Sequence, residues 1–317
     1  MRKLAAGNSN QSGVQLSSRR QLALNIDHRN IILDVDTGKE VAQLPGDPWY
    51  LGTWSADGQY LTMSRYERGG CDDNHLAIWS FATQSLTEID GQYGSWSSSG
   101  HNLAYTRRLE VPPNPDDCVP DYEVRIRAAD TNMDRSVGKG HGDLLNWSPN
   151  DRYLVVGLIG STPDEERHGF RVIDTAEASY TDIDGSWFGE WLDAQTLFFI
   201  GNICSTFDFY TIKSDGSNLQ SLPKLRVQMR GALTPQRDKI AFTESGEGQD
   251  SNSLIVYSFA SGDETQYAVG PLRTGWIFGG GSNGWSNDAR CLQIFAPAGK
   301  GGPCEFDPPY ALSIERH

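Results

Sequence analysis

The chain has 317 residues, with 27 basic and 41 acidic side chains, and its formal net charge is −14. Nucleic acids and anionic membrane surfaces bind basic patches, so this charge excludes both as expected partners. No apolar stretch approaches the length of a membrane span, so we also expect no direct membrane insertion.

One short phrase recurs along the chain, in complete or degraded form. Its fullest copies are Trp54-Ser-Ala-Asp-Gly-Gln-Tyr-Leu and Trp147-Ser-Pro-Asn-Asp-Arg-Tyr-Leu. The copies begin at Leu16, Trp54, Trp96, Trp147, Trp191, Leu233 and Trp285, and successive copies are 38 to 52 residues apart. A period of this length is typical of a β-propeller, in which each repeat forms one four-stranded blade.

Each copy of the phrase predicts a tight turn between two antiparallel strands. Its Ser and Asp side chains can bond to the nearby backbone and tolerate a positive φ. A strand-like run follows each turn, starting at Tyr60, Leu103, Tyr153, Leu197, Ile240 and Leu292. A further strand recurs in each repeat, starting at Ile31, Leu76, Val124, Phe170, Phe209, Leu254 and Tyr310. The 34 Gly and 15 Pro supply turns, and the nine Trp fit the interfaces between blades.

The two ends of the sequence indicate how the repeats close. The last repeat has three predicted strands, and the segment before the first copy resembles the outer strand of another repeat. Pairing Arg2–Ala6 with Tyr310–Ile314 would complete seven blades of four strands and remove two exposed sheet edges. The sequence therefore predicts an all-β, seven-bladed propeller that forms a single domain over residues 1–317.

The repeated phrase resembles the Trp-Ser-Pro-Asp-Gly repeat of the TolB-like, WD40-like β-propellers, over essentially the whole chain. Such repeats occur in bacterial envelope proteins, in tricorn-type and prolyl-oligopeptidase-type proteases, and in oligogalacturonate lyase. The resemblance implies a periplasmic or extracellular location, with a signal or anchor that this sequence does not contain. It implies little about activity, because the shared residues form turns and pack blades.

Four of the five cysteines fall in connections between the second and third strands of a repeat: Cys71, Cys118, Cys204 and Cys304. Cys71 and Cys118 occupy equivalent connections of neighbouring repeats, so we predict a disulfide between them. It requires Cα atoms no more than about 7 Å apart. Unpaired thiols are the alternative, since spacing alone does not determine pairing.

The same connections are the longest ones and share one face of the predicted ring, where binding residues usually lie. The segments that lead into the innermost strands place aromatic and basic side chains on this face, at the mouth of the central channel of the predicted ring. We predict a binding site there that contains Trp49, Tyr50, Tyr93, His141, Trp187, Arg230 and Trp276. Aromatic and Arg side chains at a concave mouth suit an extended peptide or a glycan. The alternative is that these rings only pack between blades.

Signals for catalysis are weak. The sequence has no Gly-x-Ser-x-Gly elbow, and its six histidines show no metal-ligand spacing. We therefore expect no catalytic residue, no cofactor and no bound metal. The resemblance to oligogalacturonate lyase implies one alternative, a divalent metal held by His75, His141 and His168 with Glu190 or Asp143.

Two classes of function follow from these observations. The first is a non-catalytic binding or scaffolding propeller that recognises a protein or peptide through its long-loop face. The alternative is a carbohydrate-active lyase or hydrolase, or a propeller that gates a protease domain. The absence of a nucleophile motif and of a ligand motif favours the first class.

Overall fold

The computed structural model describes most of the chain, in ranges separated by short gaps: residues 14–26, 29–46, 48–66, 74–109, 122–158, 169–184, 186–203, 206–226, 232–234, 236–245, 252–268, 277–278, 291–295 and 310–313. Strands and short turns account for all of the regular structure in these ranges. None of the described residues belongs to a helix that could cross a membrane.

Consecutive strands form the first four sheets. The first sheet contains β1 (Val14–Leu16), β2 (Gln21–Ile26), β3 (Arg29–Asp34) and β4 (Glu40–Gln43). The second contains β5 (Trp49–Trp54), β6 (Tyr60–Tyr66), β7 (Asn74–Ser80) and β8 (Ser85–Ile89). The third contains β9 (Gln92–Trp96), β10 (Asn102–Arg108), β11 (Tyr122–Ala128) and β12 (Asp134–Lys139). The fourth contains β13 (His141–Trp147), β14 (Tyr153–Leu158), β15 (Gly169–Asp174) and β16 (Ser179–Asp184).

The later strands repeat this arrangement. The fifth sheet contains β17 (Ser186–Trp191), β18 (Thr196–Ile203), β19 (Thr206–Lys213) and β20 (Gln220–Arg226). The sixth contains β21 (Ala232–Leu233), β22 (Lys239–Ser245), β23 (Asn252–Ser258) and β24 (Glu264–Ala268). The last contains three described strands, β25 (Ile277–Phe278), β26 (Cys291–Phe295) and β27 (Tyr310–Ser313).

The chain divides into two compact units. The first unit comprises Met1–Glu190 with Lys213–Ser217, and the second comprises Trp191–Ile212 with Asn218–His317. In the first unit, apolar clusters fill the spaces between successive sheets. In the second unit, one cluster contains Phe198, Phe209, Leu233, Ile240, Ile255 and Tyr257.

The strands of each sheet run antiparallel in chain order, so successive connections lie at opposite ends of the sheet. At one end of each sheet, the first strand begins and the second strand connects to the third. We call this end the loop end. The other connections lie at the opposite end, the turn end, and contain only four to six residues among the first six sheets. At the loop end, by contrast, 13 residues separate β10 from β11.

The repeated phrase forms the same turn in several sheets. The Ser55 N–H donates to the Tyr60 carbonyl at 2.9 Å, and the Ser55 hydroxyl accepts from the Tyr60 N–H at 3.0 Å. The Gly58 N–H donates to the Ser55 carbonyl at 2.9 Å, and Gly58 has a φ of 68°. Equivalent buried hydroxyls belong to Ser17, Ser97, Ser148 and Thr234. This turn needs a hydroxyl and a left-handed residue, which explains the recurrence of Ser with Gly or Asp.

The copy at Trp191 forms a shorter turn. The Leu192 N–H donates to the Thr196 carbonyl at 2.8 Å, and the Asp193 carboxylate accepts from the N–H groups of Gln195 and Thr196. Asp193 thus takes the place of the serine, which accounts for the weaker match of this copy.

Neighbouring turns contact each other in the first unit. The Arg19 side chain donates to the Asp57 carbonyl at 2.8 Å. The Asp151 carboxylate accepts from the N–H groups of Ser98 and Ser99 at 2.6 and 3.0 Å. These bonds join the first sheet to the second and the third sheet to the fourth, so the turn end is closely packed.

The Trp side chains that begin the phrase join one sheet to the preceding one. The Trp96 indole N–H donates to the Thr53 carbonyl at 3.1 Å, and the Trp147 indole N–H donates to the Ser95 carbonyl at 2.9 Å. Both rings are buried. The large ring fills the space between sheets and its N–H reaches the first strand next to it, which explains why Trp recurs there.

The structure confirms the predicted all-β fold of four-stranded antiparallel sheets. The seven-bladed closure depends on Arg2–Ala6, which lie outside the described residues, and it stays a prediction.

Candidate functional site

The candidate site lies at the loop end of the first strands. In the first unit, β1 contacts β5, β5 contacts β9, and β9 contacts β13. Because these strands run in the same direction, their first residues share one end. The structure therefore brings the starts of β5, β9 and β13, with Trp49, Tyr50, Tyr93 and His141, to the same end of neighbouring strands.

Trp49 and Tyr50 begin β5 and differ sharply in exposure. Trp49 is 8% exposed and packs with Ile32, Leu44 and Met63 between the first and second sheets. The Arg65 guanidinium lies 5.1 Å from the centroid of the Trp49 ring, within the range of a cation–π contact. Tyr50 is 48% exposed, so its ring is accessible to a ligand.

Tyr93 occupies a β-bulge. Gln92 pairs with Thr106 and Gly94 pairs with Tyr105, so Tyr93 is the extra residue of β9, and its φ is 43°. A left-handed backbone is unfavourable for a tyrosine, and bulges often redirect a side chain next to a functional site. The Thr106 hydroxyl donates to the Gln92 carbonyl at 3.2 Å and holds one side of this bulge.

The start of β13 is also irregular. His141 pairs with Gly157, but the next pair is Leu145 with Val156, so residues 142–144 have no partner on β14. Three neighbouring first strands, β5, β9 and β13, thus each contain an irregularity in their pairing. The irregularities of β9 and β13 lie near the starts of these strands, whereas that of β5 lies between Leu51 and Trp54. Irregular pairing also occurs between β3 and β4, between β11 and β12, and between β19 and β20.

The structure describes the remaining predicted site residues only in part or not at all. Trp187 is the second residue of β17, and its side chain is not described. Arg230, Trp276, Cys71 and Cys118 lie outside the described residues. The contribution of Arg230 and Trp276 to the site and the Cys71–Cys118 disulfide stay predictions.

A buried asparagine supports the start of β5. The Asn30 carboxamide donates to the Pro45 carbonyl at 2.8 Å and to the Trp49 carbonyl at 2.7 Å, and its oxygen accepts from the Asn25 side chain at 2.7 Å. The sequence analysis did not single out Asn30. An asparagine among the apolar residues of β3 is the signal that could have identified it.

The third sheet contains a network of charged side chains that the sequence analysis also missed. The Arg125 guanidinium donates to Glu123 at 2.9 Å and to Asp134 at 3.0 Å. Arg107 also donates to Glu123, at 2.6 Å, and the Tyr105 hydroxyl donates to Asp134. The alternation Tyr122-Glu-Val-Arg-Ile-Arg places Glu123 and Arg125 on one face of β11, which is the signal for this network.

The surroundings of this network change the acidity of its members. Burial and the hydrogen bond to Asp134 raise the pKa of Tyr105 to about 12. Burial acts to raise the pKa of Glu123, but hydrogen bonds from Ser136 and Arg125 outweigh it, and that pKa is lowered. The carboxylate and the guanidinium are thus held charged, and the phenol is held neutral.

Within the described part of the chain, no group of three His, Cys, Asp or Glu side chains could hold a metal ion. His168 lies outside the described residues, and the side chains of His141 and Asp143 are not described.

Comparisons with known proteins show similarity in structure alone. No protein-family model and no curated protein matches the sequence. A prolyl endopeptidase is 12% identical with a TM-score of 0.64, over 97% of this chain and 50% of that chain. The present chain thus spans about half the length of that enzyme.

Two further solved structures cover most of their own chains. An oligogalacturonate lyase in complex with manganese is 15% identical with a TM-score of 0.57, over 89% of this chain and 84% of that chain. An oligogalacturonate lyase from Vibrio parahaemolyticus is 13% identical with a TM-score of 0.57, over 97% of this chain and 84% of that chain. At these identities the likeness shows the fold alone.

Proposed function

We propose that this chain, a β-propeller of the TolB-like kind, is a non-catalytic binding protein that recognises a protein partner through an extended peptide segment. The peptide binds at the loop end, over the starts of β5, β9 and β13, and the protein acts in the periplasm or outside the cell. The observation that carries this proposal is that Tyr50, which is 48% exposed, lies at the start of β5, next to a first strand, β9, that has a bulge at Tyr93.

The difference between the two ends of the sheets supports this location. At the turn end, short turns bond to one another and use their polar groups internally. At the loop end, some connections are much longer, such as the 13 residues between β10 and β11, and β9 and β13 pair irregularly near their starts. Binding residues usually occupy the longer connections of a rigid scaffold.

Tyrosine is a suitable anchor for a peptide. Its ring supplies a large apolar contact at a low cost in side-chain entropy, and its hydroxyl can bond to a peptide group. Trp49 is buried in the apolar cluster and contacts Arg65, so it anchors the start of the strand that carries Tyr50.

A random-peptide phage library selected on the wild-type protein tests this function. Peptides that are enriched should bind Tyr50→Ala roughly 30-fold more weakly in titration calorimetry, since an aromatic anchor contributes about 2 kcal/mol. Tyr180→Ala is the matched control, because Tyr180 is 58% exposed and lies on the outer strand β16. It should bind the same peptides as the wild type does.

Two outcomes would contradict the proposal. One is that no peptide is enriched, or that enriched peptides bind Tyr50→Ala as tightly as the wild type. The other is cleavage of an oligogalacturonide by the purified protein with Mn²⁺, which would support the carbohydrate-active alternative.

We also propose that the complete ring has seven blades and closes through pairing of Arg2–Ala6 with the edge of β27. The last sheet has three described strands where each of the other six has four, and the proposed pairing would supply a fourth. Deleting residues 1–8 should lower the Tm, because a lost strand removes sheet hydrogen bonds and buried area. An unchanged Tm would contradict this closure.

A further inference from the structure

The connection between the first and second sheets is bonded by the Asn30 side chain, which precedes Pro45 by 15 residues in the sequence. Asn30 lies at the start of β3 and is fully buried. Its carboxamide uses both of its N–H donors, one on the Pro45 carbonyl at 2.8 Å and one on the Trp49 carbonyl at 2.7 Å. Asn30 therefore bonds to both ends of the turn that leads into β5.

Other bonds fix the orientation of this carboxamide. Its oxygen accepts from the Asn25 side chain at 2.7 Å, which leaves the nitrogen facing the two carbonyls. The main-chain carbonyl of Asn30 accepts from the Leu44 N–H at 2.9 Å. The Trp49 N–H donates to the Gly46 carbonyl at 3.0 Å and closes the turn.

The bond to the Trp49 carbonyl has a direct consequence for Tyr50. That carbonyl belongs to the peptide unit that joins Trp49 to Tyr50, and a peptide unit is planar. The Trp49 carbonyl oxygen and the Tyr50 Cα thus lie in the same plane. A bond that fixes the position of this oxygen therefore also fixes the position of the Tyr50 Cα.

The corresponding connections of the next two sheets have a main-chain bond of the same kind as that between Leu44 and Asn30. The Leu76 N–H donates to the Gly91 carbonyl at 3.0 Å, before β9. The Gly140 N–H donates to the Tyr122 carbonyl at 3.1 Å, before β13. The first sheet thus has this main-chain bond and, in addition, the two side-chain bonds of Asn30. A substitution of Asn30 removes the additional bonds and leaves the main-chain bond in place.

We infer that Asn30 is a positioning residue for peptide binding, and that it acts by holding Tyr50 in its binding orientation. This inference rests on the proposed function of the loop end. A ligand anchor that is already ordered avoids the cost of ordering it on binding, so loss of Asn30 should weaken binding without removing any contact with the peptide.

The test combines Asn30→Ala with Tyr50→Ala, using the peptides enriched on the wild-type protein. Asn30→Ala should weaken binding about 10-fold in the wild-type background and should cause little further loss in Tyr50→Ala, because coupled residues are not additive. Amide hydrogen exchange should accelerate over residues 44–51 and stay unchanged over residues 92–96. Asn30→Ser, which keeps one donor, should fall between Asn30→Ala and the wild type in both measurements.

Ser148→Ala is the matched control. Ser148 is fully buried, and its hydroxyl accepts from the Tyr153 N–H at 2.9 Å, but it lies at the turn end. The control should lower stability without changing peptide binding or exchange over residues 44–51. If Asn30→Ala does not fold, Asn30→Ser supplies both measurements.

The outcomes separate this inference from the proposed function. If Tyr50→Ala weakens binding but Asn30→Ala does not, or if the two losses add in full, the role of Asn30 is overturned and the proposed function stands. If Tyr50→Ala does not weaken binding, the proposed function fails and the inference fails with it. Accelerated exchange over residues 44–51 would then show only that Asn30 holds the connection.

Discussion

The two faces of the third sheet differ in chemistry although they share the same strands. Toward the fourth sheet, Val124 and Ile126 pack with Trp147, Leu154 and Ile173 in an apolar cluster. Toward the second sheet, Leu103 and Tyr105 join an apolar cluster near the first strands. Beyond that cluster, the same face carries the network of Glu123, Arg125 and Asp134.

This difference shows two ways of holding a blade in place. An apolar face gains stability in proportion to the area that it buries. A partly buried ion pair gains little net free energy, because desolvation offsets most of the attraction, but it depends strongly on geometry. The apolar face should therefore supply most of the stability, and the charged network should fix how the strands align.

Trp147→Ala, on the apolar face, should produce the largest loss of unfolding free energy. Trp147 is 6% exposed, and loss of a buried ring of this size costs about 4 kcal/mol of unfolding free energy. Urea denaturation followed by circular dichroism measures this loss.

Trp147→Phe is the matched control for the ring itself. It keeps most of the apolar contact but removes the indole N–H that donates to the Ser95 carbonyl. The expected loss is about 1 kcal/mol, because the variant loses one hydrogen bond and keeps most of the apolar contact. Equal losses for the two variants would show that the hydrogen bond, and not apolar burial, dominates this face.

Tyr105→Phe, on the charged face, should produce a smaller change in unfolding free energy, and this change should depend on pH. The pKa of Tyr105 is about 12 in the folded protein, whereas an unfolded tyrosine titrates near pH 10. The resulting stability is fully present below pH 10 and is lost as the pH rises to 12. At pH 11 the wild type should already have lost about 1.4 kcal/mol through this group.

The measurement compares the unfolding free energies of the wild type and Tyr105→Phe at pH 9 and pH 11. The other tyrosines are present in both proteins, so the difference between them reports Tyr105 alone. An identical change with pH in both proteins would show that burial and Asp134 do not hold this phenol in its neutral form.

Much of the fold could be predicted from the sequence because the repeated turn is a local structure. The hydroxyl, the left-handed residue and the second strand that form it lie within a few consecutive residues, as at Ser55, Gly58 and Tyr60. The predicted second and third strands accordingly overlap the observed β6, β7, β10 and β11.

Less of the candidate site could be predicted, because exposure depends on distant residues. Trp49 and Tyr50 are adjacent aromatic residues in one predicted segment, yet one is buried and the other is exposed. The buried ring faces the first sheet and its apolar cluster, and the alternation along β5 turns the next ring away. The sequence pattern alone did not separate these two roles.

The sequence by itself determined the repeat, the turn chemistry and the all-β class, because neighbouring residues contain the hydrogen-bonding groups and the hydrophobic alternation that produce them. Only the tertiary structure decided the bulge at Tyr93, the charged network on the third sheet, and the bonds from Asn30 to Pro45 and Trp49. The physical reason is that each of these depends on strand register or on partners many positions away, and these are fixed only when the sheets pack.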